Sequence, residues 1–188
     1  MSRRIPFPAF AVVCLLAAAI VVPRIQTNLP APSEAATVPK SVEVFFSPNG
    51  GCSEAVVREL NRAKQTVLVQ VYSFTSTPIA QAMASAFRRG VKVQVILDES
   101  QRSERYSSAD FVAHARIPTF IDAKHSIAHN KIIVIDGETV LTGSFNFTKA
   151  AEEHNAENLL VIHDAQLAAR YTQNWNEHFA HSEAYGGR

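Results

Sequence analysis

Residues Thr66–Asp98 read TVLVQVYSFTSTPIAQAMASAFRRGVKVQVILD, and the reading of this stretch decides the fold class. Thr66–Tyr72, rich in Val, reads as a strand. Pro78 suits the first turn of a helix, where its missing N–H would be unpaired anyway. Ile79, Ala82, Met83, Ala86 and Phe87 then form one apolar stripe running toward Arg89, and Gly90 stops the helix. Val91–Leu97 alternates as a further strand and ends at Asp98.

The same rhythm extends in both directions. Upstream, Ser41–Phe46 alternates and is broken by Ser47-Pro48-Asn49-Gly50-Gly51; Ser53 is placed as the N-cap of a helix through Lys64, with Val56, Val57 and Leu60 at helical spacing. Downstream, Glu99–Ser108 is polar and is expected to be a mobile loop. Ala109–Ala115 suits a short helix and Pro118–Ile121 a short strand. Ala128–Ile135 is a strong strand, and Asp136-Gly137 turns it into a return arm at Thr139–Thr142. Asn158–His163 is a final strand. Ala165–Phe179 is a closing helix that places Leu167, Tyr171, Trp175 and Phe179 on related turns, with Trp175 read as core. Strands alternating with helices predict one α/β domain with a largely buried sheet.

The N-terminus has a different character. Arg3 and Arg4 precede an apolar run, Phe7–Val22, that Pro23 and Arg24 stop. Residues 1–25 read as a signal peptide or an N-terminal membrane anchor. The run is short for the roughly 20 apolar residues of a spanning helix and long for an ordinary signal core, so cleavage and retention as a tether through residues 5–22 both stay open. Residues 26–40 form a Pro/Ala-rich linker, leaving 41–188 as the folded domain. The basic N-terminal flank places that domain outside the cytoplasm: periplasmic, secreted, or anchored to the inner membrane.

Composition narrows the chemistry. From Ala36 onward the chain carries 15 Lys and Arg against 16 Asp and Glu, so bulk charge does not announce a nucleic-acid binder. Arg88, Arg89 and Lys92, and Arg102 and Arg105, are local basic clusters that suit either phosphate contacts or a solvated surface. Cys14 lies in the export segment, so the domain holds only Cys52, which cannot form an intrachain disulfide and is read as a free, partly buried thiol.

The informative segment is His129–Asn146, HNKIIVIDGETVLTGSFN. It places His129, Lys131, Asp136, Gly143, Ser144 and Asn146 in the spacing H-x-K-x4-D-x6-G-S-x-N, a pattern that average composition yields on the order of once in 10⁵ to 10⁶ random chains of this length. Strand parity puts His129 and Lys131 on one face and Asp136 on the other, which makes Asp136 a brace for the turn. Gly143 permits a tight backbone path, and Ser144 and Asn146 share a face if locally extended. An imidazole, an ammonium, a hydroxyl and an amide converging on one point suit a phosphodiester. Lys131 offsets its charge, Ser144 and Asn146 donate to non-bridging oxygens, and His129 attacks phosphorus.

These six residues resemble the single H-K-D motif of the phospholipase D superfamily, most closely its short bacterial endonuclease branch. The resemblance continues through Tyr72-Ser73-Phe74-Thr75, Arg89-Gly90-Val91-Lys92-Val93, Asp98 and Asn155-Ala156-Glu157-Asn158, and covers roughly Ser41–Phe179. It implies the phospholipase D/nuclease fold, a mixed sheet flanked by helices. It implies too that His129 is a nucleophile forming a phosphohistidine without a metal, and that Glu157 lies beside it and orients it. Glu152 and Glu153 are read as solvated. A second histidine must protonate the leaving alcohol; with one motif per chain, the resemblance implies a two-fold homodimer with the active site at its interface.

No glycine-rich phosphate loop and no carboxylate cluster for magnesium is visible, and no cofactor or metal is expected. His125 is read as a surface loop residue. His114, His154, His163, His178 and His181 lack metal-like spacing and are assigned structural or solvated roles. Three functions follow for comparison: a nonspecific endonuclease on DNA or RNA; a phospholipase D acting on phospholipid headgroups; and a non-catalytic nucleic-acid-binding module, for which an intact His129 has no use.

Overall fold

The Thr66–Asp98 stretch folds as a strand, a helix and a second strand parallel to the first. In the computed structural model, which describes residues 41–188, these are β2 (Thr66–Val71), α2 (Thr77–Arg88) and β3 (Lys92–Asp98). The expectations for the export segment and linker lie outside the described residues. After α3 (Ala109–His114), β4 (Thr119–Asp122) adds in parallel to β3. Around this parallel trio every other pairing is antiparallel. It involves β1 (Ser41–Ser47), β5 (Lys131–Ile135), β6 (Thr139–Gly143), β7 (Glu157–His163) and β8 (Glu183–Tyr185). The result is one eight-stranded mixed sheet in the order β1-β7-β6-β5-β2-β3-β4-β8. Parallel neighbours require long crossovers, and the helices supply them.

Alternation along the strands divides the core. Val67, Val69, Val71, Ile133, Leu141 and Leu159 belong to the main apolar cluster, together with Val56 and Leu60 of α1 (Cys52–Arg62) and Ile79 and Met83 of α2. On the opposite face, Ile96 and Ile132 pack with Trp175 of α5 (Ala165–Phe179), and Val134 and Val140 pack with Ala168. Every residue of β5 is buried, as a strand covered on both faces must be. Trp175 is core, as read, and its indole N–H donates to the Val69 carbonyl at 2.9 Å. Among the described residues no helix is long and apolar enough to cross a membrane.

The local departures have physical causes. Ser53 does not cap α1. Glu152, on the short helix α4 (Lys149–Glu153), accepts hydrogen bonds from the Gly51 and Ser53 N–H groups at 3.3 and 2.7 Å. The expectation of a solvated Glu152 is therefore corrected: its anion occupies the helix N-terminus, where N–H groups lack intrahelical partners. The loop after β3 is more ordered than expected, forming a 3₁₀ turn over Glu99–Arg102. There buried Gln101 accepts from the Phe74 N–H and the Ser107 hydroxyl. β5 starts at Lys131 rather than Ala128, because the Ala128 N–H is taken by the Asp98 carboxylate at 2.7 Å. The β8 strand, pairing with β4, was not anticipated.

Asp136 is a brace, as parity indicated, but it braces a neighbouring connection rather than its own turn. Its two oxygens accept the N–H groups of Lys64, Gln65 and Thr66 at 2.8–2.9 Å, tying the α1–β2 link to the end of β5. Asp136→Ala is expected to lower unfolding free energy by about 2 kcal/mol, since hydrogen bonds to a charged acceptor are each worth roughly 1.5–3 kcal/mol and water re-pairs the exposed donors. Asp136→Asn should lose less, because it keeps one acceptor oxygen. Urea denaturation checks this, and equal stability of all three proteins would refute the bracing role.

Candidate active site

The chemically active residues gather at one end of four adjacent strands, and sheet register puts them there. Val71, the last residue of β2, pairs with Lys131, the first of β5. Tyr72 continues the ladder, its N–H donating to the Asn130 carbonyl at 2.9 Å. Ile132 pairs with Thr142 and Gly143 with Leu159, so Lys131, Gly143 and the start of β7 stand side by side. His129 lies two residues outside β5, in the loop from β4, and its side chain is exposed.

His129 and Lys131 both approach Tyr72, although His129 lies outside the strand on which parity placed them together. The Tyr72 ring lies 4.7 Å from the His129 ring, and the Lys131 ammonium sits 5.1 Å from the centre of the same Tyr72 ring. The ammonium is buried, with the residue 6% exposed, and donates to the His129 carbonyl at 2.7 Å. Burial depresses its pKa to about 8, against the opposing fields of Glu157 and Asp98. A lysine in this state is a cation awaiting an anion, since a bound negative charge restores what desolvation removes.

Gly143 has φ 153°, and a Cβ built there would stand 2.2 Å from the Asn158 carbonyl oxygen. Glycine is thus required for β6 to approach β7 closely enough that the Ser144 and Phe145 N–H groups both reach that carbonyl, at 3.1 and 3.2 Å. Ser144 Oγ accepts from the Asn158 backbone N–H and side-chain amide at 3.1 and 3.3 Å, which leaves its hydroxyl proton to donate. Asn146 is half-buried, and its Oδ1 is sealed from solvent without a hydrogen bond. Its flanking residues are laced to the segment after Tyr72: Phe147 N–H donates to Ser73, and Thr75 and Ser76 donate to the Phe147 carbonyl.

Glu157, at the first position of β7, faces this group but not in the manner the resemblance implied. Its Oε1 accepts from the Asn155 amide at 3.1 Å rather than from His129, and its charge is felt at Lys131. Within one chain Glu157 acts on the lysine. The basic clusters largely serve structure: Arg89 donates to the Leu60 and Ala63 carbonyls, Arg88 to Ser85, and Arg102 pairs with Glu183. Cys52 is a buried free thiol, its pKa pushed up to about 11 by burial and then by Glu152, Glu54 and Glu157, so it is no nucleophile.

His125 is the exposed loop residue expected of it and His178 and His181 are half-buried, yet the three share one partner. His125, His178 and His181 converge on Asp122, with contacts of 3.1, 2.7 and 3.2 Å. Their sequence separation hides this, since His125 and His178 are 53 positions apart. Only the return of α5 to the end of β4 brings them together.

Comparison with known proteins gives a consistent picture. A family model described as "Cardiolipin synthase, PLD-like domain" matches residues 56–179. A phospholipase D of Rickettsia typhi is 42% identical over 136 residues, covering 72% of this chain and 67% of its own length. A mitochondrial cardiolipin hydrolase of Xenopus tropicalis is 32% identical over 123 residues, 63% of this chain and 59% of the relative. The crystal structure of Nuc from Salmonella typhimurium, a phospholipase D family member, superposes with a TM-score of 0.75 at 37% identity, covering 77% of this chain and 97% of that one.

Gly143→Ala should destabilise the domain by on the order of 3 kcal/mol, combining backbone strain with overpacking against Asn158. It should also displace Ser144. A thermal melt checks the first expectation, and an unchanged melting temperature would show that the close approach of β6 and β7 is not required.

Proposed function

Because the chain belongs to the phospholipase D superfamily and shares its hydrolase chemistry on phosphodiesters, we propose that it is a metal-independent endonuclease acting on DNA or RNA through a phosphohistidine at His129. The observation that carries the reaction is an exposed imidazole and a buried lysine that both approach the Tyr72 ring. The donor set is one of imidazole, ammonium, hydroxyl and amide, and the cation it offers to phosphate is Lys131 itself. The endonuclease reading is supported by the resemblance to the short single-motif branch and by the match over 97% of the length of Nuc.

The mechanism follows from these groups. A ring nitrogen of His129 attacks phosphorus while the bond to the leaving oxygen breaks. Lys131 offsets the charge, and Ser144 O–H and the Asn146 amide donate to the non-bridging oxygens, positions where charge grows in the transition state. Glu157 is a positioning residue whose field opposes the desolvation of Lys131. The leaving oxygen takes a proton from a second imidazole, which then accepts a proton from water as that water attacks the phosphohistidine and frees His129. One chain supplies one such histidine, so a two-fold partner supplies the other. The strip Val42, Val44 and Phe46, with exposures of 51, 51 and 63%, runs along β1 to Ser47 beside Glu157 and offers apolar surface for a second copy.

A second reading is phospholipase D activity, favoured by the names of relatives at 42 and 32% identity. The two separate when the protein is offered single-stranded DNA, duplex DNA, RNA and phospholipid vesicles in parallel, with chelator present. Nucleic-acid cleavage that is abolished in His129→Ala is the expected result. Cleavage of lipid alone would overturn the ranking, and dependence on added magnesium would overturn the mechanism.

The partner histidine has its own signature. When wild-type chains are co-refolded with His129→Ala chains, activity should fall as the square of the wild-type fraction, to about one quarter at equal proportions, because a composite site needs both copies. A linear fall to one half would show that each chain works alone.

Lys131 predicts the alkaline behaviour. With bis(4-nitrophenyl) phosphate the leaving phenolate needs no proton, so the alkaline limb reports the lysine rather than the acid histidine. Its depressed pKa means that charge is present below about pH 8 and lost above it. kcat/KM should therefore fall above about pH 8, while the kcat limb lies higher because bound anion holds the proton. A flat profile to pH 10 would refute the assignment.

A further inference from the structure

Asp122, His125, His178 and His181 form a second cluster that the reaction does not use. Asp122 closes β4, His125 lies in the loop that continues to His129, His178 sits in the last turn of α5, and His181 follows that helix. One ligand atom from each lies within 4.8 Å of every other. Asp122 is fully buried, and Nδ1 of His178, Nδ1 of His125 and Nε2 of His181 approach its carboxylate at 2.7, 3.1 and 3.2 Å. The imidazole rings surround it, with centres 4.9–5.5 Å apart.

We propose that these four residues bind a divalent transition-metal ion, zinc foremost, in a closed His₃Asp site that staples α5 to the loop carrying His129. Three imidazoles and one carboxylate are the borderline ligands that zinc takes, and four protein ligands make a structural rather than a catalytic centre. Tetrahedral zinc with bonds of about 2.0–2.1 Å sets its ligand atoms roughly 3.3 Å apart, close to the spacings around Asp122, so small side-chain rotations close the site.

One further observation points to a ligand. His181 Nε2 is sealed from solvent and makes no hydrogen bond; although it lies 3.2 Å from an Asp122 oxygen, its direction misses that oxygen. A buried nitrogen left in this way is costly, and a metal lone-pair acceptor satisfies it.

The alternative is a metal-free network in which all three imidazole nitrogens donate protons to Asp122. Binding of metal replaces those protons, so the two differ in content and spectrum. The site is independent of the substrate and of the reaction assigned to His129. Its consequence is mechanical: the loop from Asp122 to Ala128 is held at one end by the cluster and at the other by the Asp98 bond to Ala128.

The test uses untagged full-length protein, stripped with chelator and titrated with zinc or cobalt(II). About one equivalent should bind, cobalt should give the visible absorption of a tetrahedral site, and zinc should raise the melting temperature by ligand linkage. His125→Ala, whose side chain is 43% exposed and whose loss should leave the fold intact, and His181→Ala should each weaken binding about tenfold or more. His129→Ala should bind metal as the wild type does. Binding below a tenth of an equivalent in the wild type, or binding untouched by both His125→Ala and His181→Ala, would overturn the site. Loss of binding in His129→Ala would place the metal elsewhere.

Discussion

The buried ammonium of Lys131 is the constraint on which the site depends. A lysine 6% exposed at the end of a fully buried strand carries a desolvation cost that the fold must offset from several directions. The His129 carbonyl, the Tyr72 face and the fields of Glu157 and Asp98 do so. Each comes from a different segment, so the charge keeps its place only when β2, β3, β5 and β7 are aligned. The offset is incomplete, and burial leaves the pKa depressed to about 8. A nearby anion favours the charged form of such a lysine, as burial disfavours it.

Around that charge the sheet acts as a register device. β5 joins the parallel half, β2–β3–β4, to the antiparallel half, β6–β7–β1. His129 enters from the β4 side, while Ser144 and Asn146 leave β6 and Glu157 opens β7. Gly143 makes the last of these juxtapositions geometrically accessible, since any side chain there would collide with Asn158. Asp136 secures the other end of β5 by closing the α1–β2 link. The motif residues therefore divide into polar groups gathered at the strand ends and groups that hold the strands carrying them.

Much of this was legible because it is local. Strand–helix–strand periodicity in Thr66–Asp98 gave the fold class, and period-two parity separated His129 and Lys131 from Asp136 without reference to any partner strand. Trp175 read correctly because its helical stripe is apolar. What was not legible depends on distant partners. Glu152 caps a helix 99 residues away from its own position. His125, His178 and His181 meet only because α5 folds back on β4. Gln101 is buried by contacts to Phe74 and Ser107, which a polar local composition does not reveal.

The sequence by itself determined the α/β class and the bracing character of Asp136, and it singled out His129, Lys131, Ser144 and Asn146 as the candidate set. These rest on spacing and parity within short stretches of chain, the longest being Thr66–Asp98. Tertiary structure alone decided that Lys131 is buried, that Glu157 acts on that lysine rather than bonding His129 within the same chain, and that three scattered histidines surround Asp122. The physical reason is that burial and electrostatic coupling belong to three-dimensional neighbourhoods, and sheet order sets those neighbourhoods through pairings between residues far apart along the chain.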